Sequence, residues 1–231
     1  MKVLYEDNHL IVAVKPPMVP TQPDSSGDAD MLGMVREYVR CRYHKQGNVY
    51  IGLLHRLDRP VGGVMVFART SKAASRLSEQ IRSGGMEKEY LAVVHGCPPE
   101  EGLFEDYLIK DASRNLVKPV REGTPGAKYA RLEYALEARR GKHSLVRIRL
   151  HTGRPHQIRV QFASRGYPLL GDVRYGKGEP GRIALYSTCI AFEHPVRRER
   201  MEFENIPTGG FFEEFTGAEP AHDSPFFRKN E

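Results

Sequence analysis

Two alternating segments late in the chain constrain the fold more than any other feature. Residues 129–136 and 145–150 place apolar and polar side chains alternately, which is the pattern of strands that bury one face and expose the other. A short basic turn, residues 139–142 (RRGK), lies between them. Such segments joined through a polar turn predict antiparallel strands. The core is therefore expected to include antiparallel sheet.

Shorter apolar runs and two amphipathic segments extend this prediction to an α+β fold with a mixed, mainly antiparallel sheet and flanking helices and loops. Proline cannot donate to a sheet, so Pro16 should end the second strand. Ser71 is a suitable N-cap for the second helix. The predicted strands are 4–15, broken by a turn at 7–8, then 64–68 and 90–94; the predicted helices are about 31–43, with Leu32, Val35 and Val39 on one face, and from Ser71 to Gly84-Gly85.

The length of 231 residues suits one large domain or two small ones. The sequence shows neither an internal repeat nor a clear linker. We therefore predict a single domain over 1–231, with its motif-bearing core at about 3–207. The tail at about 217–231 is polar and contains proline, so it is expected to be disordered.

Composition and charge restrict the classes of function. Hydrophobic residues make up 40% and charged residues 28%, as in ordinary soluble proteins. No run of about 18 apolar residues occurs, so no membrane span is expected. The N-terminus becomes acidic before an apolar signal-peptide core could form, which predicts a cytoplasmic protein. The formal charge of +6 and the pI of about 9.2 suggest a polyanionic partner, although charge alone is a weak argument.

Neither the cysteines nor the histidines form a metal-binding pattern. Cys41, Cys97 and Cys189 lie far apart without CxxC spacing, which argues against a disulfide framework or a cysteine zinc site. The histidines lack HExxH and HxH spacing, and the chain has no GxxxxGK[ST] or GxGxxG motif. We therefore expect no metal and no nucleotide cofactor.

The stretch HRLDRP, residues 55–60, places Asp58 between Arg56 and Arg59. A nearby arginine lowers the pKa of a carboxylate, and a carboxylate held ionised can act as a nucleophile or a base. The stretch should be a loop leading into a strand, and loops on a rigid scaffold commonly carry catalytic groups. From these residues alone, a structural ion pair is the more frequent explanation.

Three further stretches each allow two interpretations. In GRPHQIRV, residues 153–160, Pro155 suits the first position of a helix. The start of this helix could attract phosphate, but the residues alone favour a solvated cationic face. Tyr90 begins a strand and is either part of the core or a group that stacks on a base. Asp172 follows a glycine in what is most simply a turn.

Taken together, these stretches resemble the RluA-type branch of the pseudouridine synthases. HRLD combined with GR-x-HQIR in this order is specific, whereas either motif alone would be moderate support. The resemblance spans roughly residues 3–207. The matching positions are VKP at 14–16, HRLD at 55–58, Gly63, Phe67-Ala68, K-x-Y at 88–90, Val93, Gly96, GRPHQIR at 153–159, Gly171-Asp172, Tyr175-Gly176, Leu185 and His194-Pro195.

The chain departs from the family pattern in three ways. Residues 61–63 are Val-Gly-Gly where the family often has Thr-Ser-Gly, and Pro155 stands where a threonine often precedes His-Gln. Each change loses a hydroxyl, which would alter local hydrogen bonding or RNA contact. Many relatives also carry an N-terminal S4-type RNA-binding domain. Because the matching motifs begin at about Val3, we expect a stand-alone catalytic domain.

The resemblance implies an isomerase, an RNA pseudouridine synthase that converts uridine in structured ribosomal or transfer RNA to pseudouridine. The C1′–N1 bond breaks, the uracil turns and C1′–C5 forms, after the nucleotide is flipped into a pocket. Asp58 matches the family's essential aspartate, which attacks C1′ or removes the 2′ proton. Tyr90 matches the tyrosine that packs on the uracil, and Arg159 matches the basic residue that pairs with the aspartate.

The resemblance also implies the pseudouridine synthase catalytic fold with a central RNA-binding cleft. RNA is the expected partner of a monomer that needs no cofactor, metal or membrane. Arg56 matches the arginine that enters the RNA where the base has left. Residues 36–42 and 139–142 are further basic candidates, although a solvated face explains each equally well. The residues expected to bind RNA are His55, Arg56, Arg154, His156 and Gln157.

Two other functions compete with this hypothesis. A catalytically inactive RNA-binding protein on the same scaffold would not require the intact set of Asp58, Tyr90 and Arg159. A glycoside hydrolase would need two carboxylates about 5–10 Å apart, and only Asp58 lies in a recognised motif. The hydrolase is therefore the weakest of the three hypotheses.

Overall fold

The computed structural model describes residues 1–178 and 182–215, so the predicted disordered tail at 217–231 lies outside the described residues. The helices and strands, in chain order, are β1 (Lys2–Glu6), β2 (Leu10–Lys15), α1 (Met31–Arg42), β3 (Gly52–Leu53), β4 (Gly62–Ala68), α2 (Ser71–Ser83), β5 (Glu87–His95), β6 (Glu101–Asp111), β7 (Leu116–Val120), β8 (Lys128–Arg140), β9 (His143–Leu150), α3 (Gln157–Ala163), β10 (Leu185–Glu193), β11 (Arg200–Glu204) and a 3-10 helix (Gly210–Phe215).

The chain divides into two compact units. The first unit comprises Met1–Lys88 and Ser187–Ile206, and the second comprises Glu89–Tyr186 and Pro207–Glu231. In the first unit the strand order is β1-β2-β4-β10, with β3 on β4 and β11 on β10; in the second it is β5-β9-β8-β6-β7. The prediction of one domain stays a prediction.

Strands β2 and β4 are buried on both faces and form the centre of the first unit. They pair antiparallel, with Val12 opposite Val66. Alternate residues pack against Leu77 of α2, and the residues between them are fully buried as well. Runs of this kind read as continuously apolar in sequence because neither face meets water. The packed set comprises Leu10, Val12, Val64, Val66, Leu77, Met86, Ile190 and Phe192.

The two predicted helices of the first unit are present, with small corrections at their starts and faces. Helix α1 is capped by Asp30 and buries Met31, Val35 and Val39, whereas the predicted face residue Leu32 is half-buried. The N-cap of α2 is Thr70, so the prediction of Ser71 as the cap was wrong by one residue. Thr70 is the N-cap because its extended backbone lets its hydroxyl accept the N–H of Ala73.

The second unit confirms the antiparallel prediction that the alternating segments carried. Strands β8 and β9 pair from Leu132 opposite Leu150 to Arg140 opposite His143, and Gly141 turns between them with a φ of 57°. A second hairpin, β6 with β7, was not predicted. The described strands pair antiparallel where their register is defined, so the α+β prediction is confirmed. Among the described residues, no helix is long and apolar enough to cross a membrane.

Candidate active site

Asp58 lies in the irregular segment between β3 and β4, in the first unit. Its carbonyl oxygen accepts the N–H of Val61 at 2.9 Å, so Arg59 and Pro60 form a tight turn directly after it. The side chain of Asp58 is half-buried. The predicted loop position of this acid is therefore confirmed, and the turn leads straight into β4.

Two buried side chains from residues 15–21 hold the backbone on either side of Asp58. Thr21 donates its hydroxyl to the carbonyl oxygen of Leu57 at 2.8 Å and accepts the N–H of Leu57 at 3.2 Å. Lys15 donates to the carbonyl oxygen of Arg59 at 3.0 Å. An irregular segment has no sheet partners for these groups, so side chains must satisfy them. The backbone of the acid is consequently fixed through its two neighbours.

Lys15 is 0% exposed, which is rare for a lysine. Its ammonium also donates to the carbonyl oxygens of Pro16, at 3.1 Å, and Val19. Burial lowers the pKa of Lys15 to about 8, against the opposing attraction of Asp58. Lys15 is therefore mostly protonated at pH 7. Sequence reasoning missed this residue, although a lysine that ends an apolar strand before two prolines was a usable signal.

The two arginines that flank Asp58 in sequence have different environments. Arg56 is exposed. Arg59 turns toward the loop at 24–28, where it forms ion pairs with Asp24, at 3.3 Å, and Asp28, and donates to Ser26 at 3.0 Å. Exposed pairs of this kind contribute little to stability. The side chain of Arg59 thus has a defined place, on a loop of the first unit.

His55 packs against β4. Its Nε2 accepts the backbone N–H of Val66 at 3.2 Å, and burial, with a smaller effect of the Lys88 charge, lowers its pKa to about 3. The imidazole is therefore neutral at pH 7 and holds the start of the HRLD segment on the strand. An RNA contact of His55 stays a prediction, and a neutral ring would make it without an ionic attraction to phosphate.

Gly63 explains why the departure at residues 61–63 keeps its last glycine. Its φ is 128°, and a Cβ there would lie 2.2 Å from the carbonyl oxygen of Ser187 on β10. Only glycine allows this approach of two backbones. Positions 61 and 62, where this chain lacks the hydroxyls that the family often has, are a buried valine and a buried glycine.

The other two predicted catalytic residues belong to the second unit. Tyr90 lies on β5 opposite Ile148 and is buried. Arg159 lies on α3, where its Nε and Nη2 each donate to one oxygen of Asp172 at 2.8 Å. The side chains of Arg159 and Asp172 are 5% and 0% exposed. A two-point pair of this kind fixes the plane of the guanidinium.

From the residues alone Asp172 was assigned to a turn, and Tyr175 was only a matching position of the family resemblance; the structure places both beside Arg159. Burial opposes ionisation of Asp172, but Arg159 and the N–H groups of residues 174 and 175 outweigh it and lower its pKa. The phenol oxygen of Tyr175 lies 2.9 Å from Nδ1 of His156 and accepts the N–H of Val117 at 2.8 Å. The Arg159 guanidinium lies 5.3 Å from the Tyr175 ring centre.

The GRPHQIR segment starts its helix later than predicted. Helix α3 begins at Gln157, and His156 precedes it with a φ of 50°, so Pro155 is not the first helical residue. The side chain of Gln157 accepts from the Thr152 hydroxyl at 2.8 Å and donates to the Arg131 carbonyl at 3.1 Å. These bonds hold the loop that precedes α3. RNA contact by Arg154, His156 and Gln157 stays a prediction.

Within residues 1–178 and 182–215, no group of three or more His, Cys, Asp or Glu side chains is placed to hold a metal ion. The first unit supplies a positioned carboxylate, and the second supplies an oriented guanidinium beside a phenol. Carboxylates and phenols are among the side chains that carry out acid–base or nucleophilic chemistry in enzymes.

Comparison with known proteins identifies the class to which this fold and these groups belong. A family model described as RNA pseudouridylate synthase matches residues 9–164. The chain belongs to this family. Ribosomal large subunit pseudouridine synthase D of Vibrio cholerae is 32% identical over 88% of this chain and 66% of its own length. Ribosomal large subunit pseudouridine synthase C of Buchnera aphidicola (strain Sg) is 31% identical over 86% and 65%.

The chain thus spans slightly under two thirds of the length of these relatives. Among solved structures, Human RNA Pseudouridylate Synthase Domain Containing 4 superposes with a TM-score of 0.74 at 21% identity, covering 89% of this chain and 88% of that one. Human RNA Pseudouridylate Synthase Domain Containing 1 gives a TM-score of 0.70 at 20% identity, covering 90% and 83%. These likenesses show the pseudouridylate synthase fold.

Proposed function

We propose that this protein is an RNA pseudouridine synthase that acts on uridine in structured RNA, with large-subunit ribosomal RNA as the substrate to test first. The observation that carries the proposal is the position of Asp58, an acid whose two chain neighbours are both held by buried side chains within the region that matches the family. The names of the Vibrio and Buchnera relatives support ribosomal RNA over transfer RNA.

The reaction is an isomerisation that balances within one nucleotide. The C1′–N1 bond breaks, C1′–C5 forms, C5 loses its proton and N1 gains one. Asp58 is proposed either to attack C1′ or to remove the 2′ proton, and both routes need an ionised carboxylate. Flipping the uridine out of its stack costs a few kcal/mol, which RNA contacts must supply. The step involves no redox change and no hydrolysis, so the proposal includes no metal or cofactor.

The roles of the other residues are part of this proposal. Tyr90 packs on the uracil, and Arg159 pairs with Asp58. The two hydrogen bonds from Nε and Nη2 of Arg159 to Asp172 support this role of Arg159, because they fix the direction in which the Nη1 side of the guanidinium points. Arg56 is exposed and enters the RNA. The protein is proposed to act as a monomer in the cytoplasm.

Tritium release tests the proposal directly. Large-subunit ribosomal RNA transcribed in vitro with C5-tritiated uridine is incubated with the wild type and with Asp58→Asn, which keeps the side-chain shape and removes the charge. We expect release by the wild type and a loss of roughly a thousandfold in the variant. Asp111→Asn is the matched control. This exposed acid at the end of β6 accepts the N–H groups of residues 113 and 114 and the Ser113 hydroxyl and lies 3.9 Å from Arg114, and an asparagine can make the same turn bonds.

Three results bear on the alternatives. Full release by Asp58→Asn would remove the aspartate from the mechanism. Wild-type protein that binds the transcript without releasing tritium from it or from total cellular RNA would favour the non-catalytic RNA-binding protein. Release from transfer RNA but not from the ribosomal transcript would keep the reaction and correct the substrate.

A further inference from the structure

Met18 has an unusual backbone conformation for its residue type. Its φ is 68°, in the left-handed region, where Cβ crowds the following carbonyl oxygen. The residue is also 43% exposed. A bulky side chain in this region is an outlier, and an exposed apolar side chain gains little from folding. Strain that folding does not repay is found mainly at functional sites.

The loop that carries Met18 is attached at both ends to the residues next to Asp58. Lys15, before the loop, donates to the carbonyl oxygen of Arg59, and Thr21, after it, donates to that of Leu57. The Lys15 ammonium also binds the carbonyl oxygens of residues 16 and 19, which closes the loop around Met18. The methionine therefore stands in the middle of a short loop that lies against the aspartate segment.

Other left-handed residues in the described structure have a local explanation. His44 follows the end of α1, Asn115 turns between β6 and β7, and His156 precedes α3. Arg198 turns between β10 and β11, where its N–H donates to the carbonyl oxygen of His194 at 3.0 Å. Asparagine and histidine are residue types that tolerate this conformation. Methionine and arginine are not among these types, but Arg198 lies in a hairpin turn. Met18 lies with Pro17 in a turn after β2 that joins no hairpin and ends no helix. Its side chain is thus the feature that needs an explanation.

We propose that Met18 is an RNA-contact residue whose side chain packs on the face of a nucleotide beside the uridine that Asp58 acts on. This inference rests on the proposed function. Exposed methionines and other apolar side chains serve as wedges against base steps, and a thioether makes favourable contacts with aromatic rings. The contact buries apolar surface and releases no counterions, so its contribution is independent of salt.

The test compares three substitutions at position 18 on the tritiated ribosomal transcript. Met18→Gly and Met18→Ala should each lower kcat/KM by roughly tenfold, because they lose the apolar surface that part of the methionine side chain buries against the nucleotide. Met18→Leu should stay within about threefold of the wild type, since it keeps the apolar contact. Met18→Gly should also raise the urea midpoint, because glycine relieves the backbone strain. Gaining stability while losing activity distinguishes a contact from a structural role.

His44→Gly is the matched control for the strain. It relieves a left-handed residue in the same unit, so it should raise the urea midpoint and leave tritium release unchanged. Filter binding to the transcript across salt concentrations adds a second readout. Met18→Ala should weaken binding by the same factor at each salt concentration, whereas Arg56→Ala should reduce the salt slope by about the share of one phosphate contact.

The outcomes separate the two proposals. A wild type that releases no tritium refutes the proposed function. An active wild type with unchanged kcat/KM in Met18→Gly and Met18→Ala refutes the inference and leaves the function standing. Loss in Met18→Gly alone would show that loop rigidity matters rather than the side chain, and would also overturn it. A binding loss in Met18→Ala that varies with salt would do the same.

Discussion

Lys15→Met is expected to remove a gain in stability that the wild type shows as pH rises above about 8. Lys15 is fully buried, and its pKa falls from 10.5 to about 8 on folding. Between these two pH values the unfolded chain binds a proton that the folded protein does not, so stability rises with pH. Below pH 8, where Lys15 is charged in both states, the free energy of unfolding is about 3 kcal/mol lower than it would be with a neutral lysine at this position.

The size of the effect follows from the same two pKa values. Moving from pH 7 to pH 9.5 should stabilise the wild type by about 2 kcal/mol through Lys15 alone. Lys15→Met has no such proton, and it leaves three carbonyl oxygens without their donor, which costs about 1 kcal/mol or more for each. The stability gap between wild type and Lys15→Met should therefore widen by about 2 kcal/mol over this interval.

Urea unfolding followed by far-UV circular dichroism measures this gap, since the chain has no tryptophan for fluorescence. Titrating groups that both proteins share, including the buried Lys88, cancel in the difference. Lys72→Met replaces an exposed lysine on α2 and is the matched control for the loss of a lysine side chain. A constant gap for Lys15→Met would mean that Lys15 titrates at its ordinary pKa in the folded protein, and would refute the reasoning.

Two further substitutions test the second unit and the close approach of β4 to β10. Asp172→Asn should destabilise the protein by about 3 kcal/mol in urea titrations, because it removes the buried ionic partner of Arg159. It should also lower tritium release more than a surface substitution that destabilises the protein by the same amount, with both assays run on one preparation. Gly63→Ala should lower the free energy of unfolding by about 3 kcal/mol or more, because its Cβ would meet the Ser187 carbonyl. Gly123 also has a positive φ but open space around it, so Gly123→Ala should lower the free energy of unfolding by only about 1 kcal/mol. Equal urea midpoints for the two variants would contradict this account.

The sequence predicted those elements whose pattern repeats along the chain. The alternation in 129–136 and 145–150 was enough for β8 and β9, and the apolar spacing was enough for α1 and α2. It did not predict β6 and β7, because charged residues such as Glu105, Asp106 and Lys110 interrupt a clean alternation in β6. The formation of such strands depends on packing against their neighbours more than on their own pattern, so local sequence patterns do not predict them.

The candidate site shows the same division between local and distant causes. Asp58, Tyr90 and Arg159 came from motif resemblance, and their joint action remains a proposal. The bonds that hold Asp58 come from Lys15 and Thr21, about forty residues earlier in the chain. Asp172, the partner of Arg159, comes thirteen residues after it. Contacts across such separations leave no periodic signal in sequence, so only the folded chain reveals them.

The pattern of one acid between two arginines also has a different meaning in three dimensions. The guanidinium of Arg59 forms ion pairs with Asp24 and Asp28, and its carbonyl oxygen accepts a hydrogen bond from Lys15. Within the first unit, Lys15 of β2 interacts electrostatically with Asp58. The buried ammonium of Lys15 is held by three carbonyl oxygens, whereas the guanidinium of Arg56 is exposed. Lys15 thus supplies a fixed charge beside the aspartate segment, whereas the contact with RNA is proposed for the exposed Arg56.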